Sequence, residues 1–364
     1  SFLYNGDNRD NYQVRLGDKK LAFSGVWESP WRLLIAGSLA DITESTLVTD
    51  VSDPSKVEDT EWIKPGMVSW IYWAYNHGSQ DYQIVKEYID LAVKMKWSYD
   101  LIDWEWDVMR NGGNIQDAVK YSLSQGVKPL VWYNSSTNWI GPGPLFRLNK
   151  KADREKEYKW LSDMGVAGIK VDFFSGDSVS TMNYYIDLLE DAVKYKLMLN
   201  FHGATIPRGW QRTYPHMMSV EGVYGAEWYN NTPVLTNRAA EHNATLPFTR
   251  NVVGPMDYTP GTFSDSQHPH ITSYGHELAL PIIFESALQH MPDRPSVYYD
   301  MPEPVKKLLS DLPAAWDDTK LLTGYPGMEV VMARRKGDVW YIAGINGTNE
   351  PRTLCFSLKD LSVA

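Results

Sequence analysis

The stretch GIKVDFFSG, residues 168–176, places Asp172 directly after an apolar run and before two phenylalanines. An ionised carboxylate among apolar neighbours is costly unless it is paired, hydrogen-bonded or used in chemistry. Side chains two residues apart in a strand share one face, so Lys170 and Asp172 are expected to point the same way. A lysine at that spacing favours the ionised carboxylate. The alternative is a buried ion pair that only braces the strand.

Short β-rich runs alternate with amphipathic stretches on both sides of this strand. Apolar residues at helical spacing occur in residues 83–96 and again in residues 180–196, where Ser180 is a candidate N-cap. Eight strand–helix units predict an α/β fold, the (β/α)8 TIM barrel, with a doubly wound sheet as the alternative. The predicted strands cover residues 67–74, 98–106, 128–136, 168–174, 197–203, 217–225, 246–254 and 277–286.

The two ends of the chain depart from this rhythm. Residues 1–60 contain β-like pieces and run into a linker, SDPSKVEDTEWIKPG, at residues 52–66. Residues 301–322 are predicted to form a last helix, and strands with a hairpin turn at residues 336–338 follow it. We therefore expect β-sandwich pieces flanking the barrel at both ends, and we expect the chain to be part of a longer protein.

Composition excludes several classes of function. A net charge of -10 argues against a nucleic-acid surface, which would need a basic stripe. The single cysteine, Cys355, excludes an internal disulfide. The sequence contains no run of about 18 apolar residues, so it predicts no membrane-spanning helix. The 15 Trp and 22 Tyr residues either fill a large core or offer flat faces on which sugar rings can stack.

Polar side chains collect at the ends of the predicted strands, where barrel enzymes carry their chemistry. No zinc-ligand spacing, phosphate-binding glycine loop or GxSxG elbow accompanies them. A charged loop edge is the simpler explanation for each acid alone, but paired carboxylates with aromatic walls suit cleavage of a glycosidic bond. These positions are Asp103, Trp104, Glu105, Asp107, Asn134, Lys170, Asp172, Asn200, His202, Glu221, Glu227 and Arg250.

Three segments carry a resemblance to a known family. GIKVDFF (168–174), LNFHGATIPRGWQRTYPHMMSVEGVYGAEWY (199–229) and LPFTRNVVGPMDYTPG (246–261) resemble glycoside hydrolase family 97, most closely its retaining α-galactosidase branch. The resemblance runs from about residue 20 to the C-terminus. It implies the end of an N-terminal β-sandwich plus linker in residues 1–60, a catalytic barrel in 61–322 and the start of an all-β domain in 323–364.

The resemblance also implies roles for individual residues. Asp172 matches the nucleophile of the retaining branch, and Glu227 matches its general acid/base. The family binds a calcium ion near the site, and Glu221 and Glu227 match two of its ligands; a further ligand would come from the N-terminal sandwich. The expected activity is retaining, exo-acting hydrolysis of α-galactosides in oligosaccharides by a periplasmic or secreted enzyme.

Gly203 separates the two branches of the family. In the inverting α-glucosidase branch a glutamate base stands at this position, and a glycine cannot deprotonate water. Because this base is absent and Asp172 is present on the predicted fourth strand, the sequence favours double displacement, the retaining mechanism. Two alternatives stay open: an α-glucosidase of the same family, and a non-catalytic carbohydrate-binding fragment.

The remaining candidates are expected to bind the sugar. Lys170, His202 and Arg250 would donate to hydroxyl groups, and Asp103 and Glu105 would accept hydrogen bonds from O4 and O6. The stacking wall would come from Trp73, Trp104 or Trp139.

Overall fold

The computed structural model describes residues 2–4, 12–14, 24–26, 32–71, 78–141, 143–228, 233–265, 269, 271–359 and 361. The strands in these ranges are β1 Phe2–Tyr4, β2 Tyr12–Val14, β3 Gly66–Trp70, β4 Tyr99–Ile102, β5 Lys128–Asn134, β6 Gly168–Asp172, β7 Met198–Phe201, β8 Met217–Val220, β9 Leu288–Met291, β10 Asp318–Tyr325, β11 Glu329–Lys336 and β12 Val339–Asn346. The helices are α1 Leu39–Thr43, α2 Leu47–Asp50, α3 Tyr82–Met95, α4 Ile115–Ser124, α5 Lys151–Met164, α6 Val179–Val193, α7 Trp210–Thr213, α8 Pro233–Thr236, α9 Ala239–Thr245, α10 Tyr274–Ile283, α11 Pro295–Tyr299 and α12 Glu303–Asp311.

Seven parallel strands form one curved sheet in the order β8-β7-β6-β5-β4-β3-β9. The segment at residues 256–258 lies in the gap between β8 and β9. The N–H of Asp257 donates to the carbonyl of Val220 (3.0 Å), and that of Met256 donates to the carbonyl of Glu285 (2.7 Å). The sheet is therefore a nearly closed barrel, and the predicted α/β barrel is confirmed.

The helices form where the apolar spacing predicted them. Asp81 caps α3 by accepting from the N–H of Gln83 and of Ile84, and the helix buries one apolar face against the barrel. The helix predicted at residues 180–196 is α6, although its N-cap is Ser178 rather than Ser180. No helix in the described ranges has the length and hydropathy needed to cross a membrane.

Three predicted elements are wrong. Residues 246–254, expected as a strand, form two short 3-10 helices at Leu246–Phe248 and Asn251–Val253. Residues 277–286 belong mostly to α10, and the strand follows it as β9. The last helix ends at Asp311 instead of residue 322, because β10 begins at Asp318.

Alternation along the strands divides the buried side chains into two groups. One group faces the helices, and the other fills the barrel interior below the mouth. The interior group contains Val68, Trp70, Tyr99, Leu101, Leu130, Trp132, Met198, Met218 and Leu288.

Two smaller sheets flank the barrel. Strands β1 and β2 pair antiparallel, and β10, β11 and β12 form a separate antiparallel sheet. Lys336 pairs with Val339, so Gly337 and Asp338 form the two-residue turn that was predicted at residues 336–338. Gly337 has a φ of +57°, the left-handed conformation that such turns require.

Candidate active site

Six of the polar residues selected from the sequence come together at the mouth of the barrel, namely Asp103, Lys170, Asp172, His202, Glu221 and Glu227. Lys170 and Asp172 occupy alternate positions at the end of β6. Asp103, His202 and Glu221 are each the first residue after a strand, namely β4, β7 and β8. Because all these strands are parallel, their carboxyl ends meet at one rim and bring the side chains together.

Lys170 is held by an acid and an indole. Its Nζ lies 3.4 Å from Asp103 Oδ2 and 4.4 Å from the centroid of the Trp70 ring, and the Trp70 Nε1–H donates to the same Asp103 oxygen at 2.6 Å. Burial opposes the ammonium charge, but Asp103 and the neighbouring carboxylates outweigh it and raise the pKa of Lys170. The mouth therefore carries a fixed positive charge.

Asp172 ends β6 with a carboxylate that is 8% exposed. The Trp132 Nε1–H donates to Oδ2 at 3.2 Å, and the N–H of Phe173 donates to Oδ1 at 2.7 Å. Burial raises the pKa of Asp172, while the charges of Lys170 and His202 act in the opposite direction. The group is buried, oriented by donors and placed beside cations.

Gly203 packs directly against this carboxylate. A Cβ at this position would lie 2.9 Å from Asp172 Oδ1 and 2.8 Å from the nitrogen of Phe173. The residue has a φ of +49°, and its N–H donates to Glu221 Oε2 at 2.6 Å. Any side chain at position 203 would therefore overlap with the Asp172 carboxylate in its present position.

His202 lies between an inner carboxylate and two outer ones. Its Nε2 is 2.7 Å from Asp257 Oδ2, and its Nδ1 is 3.5 Å from Glu227 Oε1 and 3.8 Å from Glu221 Oε2. Burial and Lys170 oppose the imidazolium, but Glu221 and Asp257 raise the pKa of His202 well above its ordinary value.

Asp257 was missed by the sequence prediction, which placed the strand one segment too early. Burial opposes its charge, but His290 and His202 lower the pKa of Asp257 well below its ordinary value. The available signal was a carboxylate between Met256 and Tyr258, the same apolar setting that pointed to Asp172.

Glu221 and Glu227 form the outer edge of the site together with His202. One ligand atom from each of the three residues lies within 4.8 Å of the other two, an arrangement that could hold a metal ion. Burial raises the pKa of Glu221 to about 7. Burial also opposes ionisation of Glu227, but the close contact with His202 Nδ1 and the charge of Lys170 lower the pKa of Glu227.

The structure gives Arg250 a different use from the predicted contact with sugar hydroxyls. All three guanidinium nitrogens donate to main-chain carbonyls at 2.9–3.1 Å. Arg250 therefore braces the loops around Glu221, and we assign it no contact with substrate. The five carbonyls belong to Val220, Glu221, Gly222, Gly254 and Pro255.

Aromatic rings form a wall next to Asp172. The Trp104 and Trp139 ring centroids are 5.9 Å apart, and Trp139 meets Phe173 edge-on at 4.6 Å. Glu105 follows Trp104 in a left-handed conformation, with a φ of +62°, and its Oε2 is buried without a hydrogen-bond partner among the described residues. Trp73, the third predicted stacking residue, lies outside the described ranges.

Two family models match the chain. The model described as glycoside hydrolase 97 matches residues 64–223, and the one described as glycosyl-hydrolase 97 C-terminal, oligomerisation, matches residues 315–363. A crystal structure of a beta-arabinopyranosidase is also similar, with a TM-score of 0.81 and 34% identity over 86% of this chain and 51% of that one.

Two curated proteins show sequence similarity over most of the chain. A protein of Streptomyces bingchenggensis named "Probable retaining alpha-galactosidase" is 38% identical over 345 residues, covering 92% of this chain and 52% of its own length. The retaining alpha-galactosidase of Bacteroides thetaiotaomicron is 33% identical over 340 residues, covering 87% and 50%. The chain thus spans about half the length of the curated relatives it matches.

Proposed function

The chain belongs to glycoside hydrolase family 97, and on that basis we propose that it carries the active site of a retaining α-galactosidase. The substrate class is oligosaccharides with a terminal α-linked galactose. The observation that carries the proposal is the contact between Gly203 and Asp172. Position 203 has no room for a base that could activate water, whereas a buried carboxylate faces the mouth from β6.

In the proposed reaction Asp172 attacks the anomeric carbon while Glu227 protonates the departing oxygen. The β-galactosyl ester that forms is hydrolysed by water, from which Glu227, now ionised, takes the proton. Lys170 and Asp103 would contact sugar hydroxyls, and the wall of Trp104 and Trp139 would pack on the ring.

This sequence of steps needs Asp172 ionised and Glu227 protonated, whereas in the free site burial raises the pKa of Asp172 and His202 lowers that of Glu227. A bound galactoside would change both. It would remove water from the Glu227 side chain, which is 20% exposed, and so raise the pKa of Glu227. Positive charge that develops on the sugar would favour ionised Asp172.

We propose calcium as the cation of the cluster, with Glu221 and Glu227 as its ligands. Carboxylate oxygens suit a hard cation, and Glu227 Oε1 is buried without a hydrogen bond of good geometry among the described residues. When bound, the ion would supply positive charge that orients Glu227 and attracts sugar hydroxyls. His202 is not assigned as a ligand, because calcium prefers oxygen to nitrogen.

Azide rescue of Asp172→Ala tests the mechanism. The variant should lose hydrolysis of a nitrophenyl α-galactoside, and azide should restore turnover and give the β-galactosyl azide. Asp103→Ala is the matched control. It removes a neighbouring carboxylate that is not the proposed nucleophile, so azide should not restore the activity of this variant. Release of β-galactose as the first product of the wild type would establish inversion, and an α-galactosyl azide from Asp172→Ala would mean that another group is the nucleophile. Galactose binding by the wild type without turnover would indicate a non-catalytic fragment.

A β-arabinopyranosidase is the second candidate, favoured by the similarity to the crystal structure of such an enzyme. A β-L-arabinopyranoside has the ring configuration of an α-D-galactopyranoside but lacks the C6 hydroxymethyl group. Comparing kcat/KM for the two nitrophenyl glycosides and for the α-glucoside separates the candidates. A higher kcat/KM for the arabinoside would replace the galactosidase assignment, and one for the glucoside would favour the other branch of the family.

A further inference from the structure

A buried carboxylate below the mouth gathers three side chains. Asp257 Oδ2 lies 2.5 Å from Asn200 Nδ2, 2.7 Å from His202 Nε2 and 2.9 Å from His290 Nδ1. All four residues are at most 1% exposed. None of these contacts takes part in the proposed bond-making steps, so the cluster needs its own explanation.

The cluster fixes one face of the His202 ring. An ionised carboxylate can only accept hydrogen bonds, so His202 Nε2 must carry the proton of the 2.7 Å contact. With Nε2 turned inward, the opposite nitrogen Nδ1 faces outward to Glu227 and Glu221, at 3.5 and 3.8 Å. The direction of the imidazole is thereby determined from inside the barrel.

Asn200 and His290 hold the carboxylate in turn. Asn200 lies in β7 and His290 in β9, while Asp257 belongs to the segment in the gap between β8 and β9. The carboxylate therefore has a hydrogen-bond donor, Asn200, on one side of the gap in the barrel sheet and a 2.9 Å contact with His290 Nδ1 on the other. All three contacts are made to Oδ2, which keeps this oxygen next to His202.

We propose that Asp257 is a positioning residue, which acts by holding the His202 imidazole with Nδ1 toward Glu227 and Glu221. Asn200 and His290 keep Asp257 in place for this task. The inference rests on the proposed function for its effect on catalysis, although the geometry of His202 can be tested without turnover.

A double-mutant cycle tests the link between Asp257 and His202. Asp257→Asn should lower kcat by about 10- to 100-fold with a smaller change in KM, by analogy with the loss of a hydrogen-bond partner that orients a metal-ligating histidine. In a His202→Gln background the same substitution should change kcat by less than about twofold. Equal losses of kcat in both backgrounds would mean that Asp257 acts on overall structure, which overturns the proposal.

A matched control separates positioning from the loss of any buried acid. Asp100 is also buried, in β4, and accepts from the Ser69 hydroxyl at 2.9 Å outside the site. Asp100→Asn should leave kcat unchanged. Should Asp257→Asn fail to fold, His290→Gln removes one of the three contacts to the carboxylate and should lower kcat by a smaller factor, again only when His202 is present.

Histidine side-chain NMR gives a readout that does not depend on activity. With ¹⁵N-labelled histidine, 8 residues contribute signals, and His202→Gln identifies the signal of His202. Its Nε2–H should exchange slowly in the wild type and rapidly in Asp257→Asn. An unchanged signal in that variant overturns the positioning role. Loss of the signal in a protein that hydrolyses no glycoside would support positioning while the proposed function fails.

Discussion

At the scale of single residues, the ionisation of Asp172 depends on a balance of opposing contacts. Burial raises the pKa of this carboxyl, and Lys170, His202 and the Trp132 indole lower it. The indole contribution can be removed without changing the charge of the site. Its Nε1–H donates to Asp172 Oδ2 at 3.2 Å.

Trp132→Phe should move the acid limb of the pH–rate profile to higher pH. Attack requires ionised Asp172, so kcat/KM falls as the pH drops through the pKa of Asp172. Loss of a donor to a charged group is worth about 1.5 kcal/mol, which corresponds to a rise of about one pH unit. The measurement is kcat/KM for the nitrophenyl α-galactoside between pH 3 and 9.

The control for this shift is Trp97→Phe. Trp97 is buried as well, but its indole donates to the carbonyl of Leu309, away from the site. The acid limb of the pH–rate profile of Trp97→Phe should coincide with that of the wild type. If both variants shift the limb equally, or neither does, the hydrogen bond from Trp132 does not set the ionisation of Asp172.

Local sequence spacing predicted part of the site. The two-residue spacing placed Lys170 and Asp172 on one face, and both do point into the mouth. The partners of Asp172 could not be predicted in this way, because Trp132 is 40 residues away and meets it only after the barrel curls. Arg250 shows the opposite limit. Its position near the site was predicted, but the carbonyls that accept from its guanidinium group come from two separate stretches of the chain, residues 220–222 and 254–255.

At the scale of elements, the chain turns sharply just after most of the site residues. Phe173, Gly203 and Gly222 follow Asp172, His202 and Glu221, and each has a positive φ. Non-glycine residues pay about 1 kcal/mol or more for this conformation, and such strain tends to occur at functional sites. Glu105, Ser136 and Thr259 also have a positive φ, and each comes two residues after a buried polar residue, Asp103, Asn134 and Asp257 respectively.

Gly203→Ala tests whether this turn is needed for the site or only for the fold. The new Cβ would press on Asp172 Oδ1, so kcat should fall at least about 100-fold, since small displacements of reacting groups cost that much. Gly126→Ala is the control, because Gly126 also has a positive φ (+78°) but no atom within 4 Å of the added Cβ.

Gly126→Ala should lose about 1 kcal/mol of unfolding free energy from backbone strain. Gly203→Ala should lose more, because its Cβ would also lie 2.8 Å from the nitrogen of Phe173, and only this variant should lose activity. Urea unfolding and initial rates provide the two measurements. A Gly203→Ala enzyme with wild-type kcat would show that the contact with Asp172 has no catalytic consequence.

Six of the eight strands predicted from the sequence lie in the barrel sheet, and the other two were misplaced for different reasons. Residues 277–286 contain a continuous apolar run, and a helix buried on several sides shows the same run as a buried strand. Six of the seven residues Glu277–Ile283 are buried in α10. Residues 246–254 also contain apolar residues at strand-like spacing, but Pro247 lies in the 3-10 helix Leu246–Phe248. The segment that hydrogen-bonds next to β8 comes later, at residues 256–258.

At the scale of the whole molecule, the C-terminal sheet is tied to the barrel and to α1. The Arg334 guanidinium, 4% exposed, donates to the carbonyl of Ile283 at 2.7 Å and to Thr319 Oγ1 at 2.8 Å. Glu44, just after α1, accepts from Lys320 Nζ at 2.9 Å and from the N–H of Leu321 at 2.8 Å. The end of α10 is thus held by a strand that follows it in the chain.

Arg334→Leu should lower the free energy of unfolding by about 2 kcal/mol, because it leaves the buried carbonyl of Ile283 without its donor. Arg335→Leu changes the net charge equally, but Arg335 donates to the carbonyl of Gly337 at the hairpin and should cost less than about 0.5 kcal/mol. Urea unfolding measures the free energy of unfolding of both variants, and hydrogen exchange should show faster opening of β10 to β12 only in Arg334→Leu.

Ile283 ends the helix that leads into β9 and His290, so weaker attachment of the C-terminal sheet in Arg334→Leu should also lower kcat slightly. Equal destabilisation by the two variants would mean that net charge, rather than this buried contact, joins the sheet to the barrel.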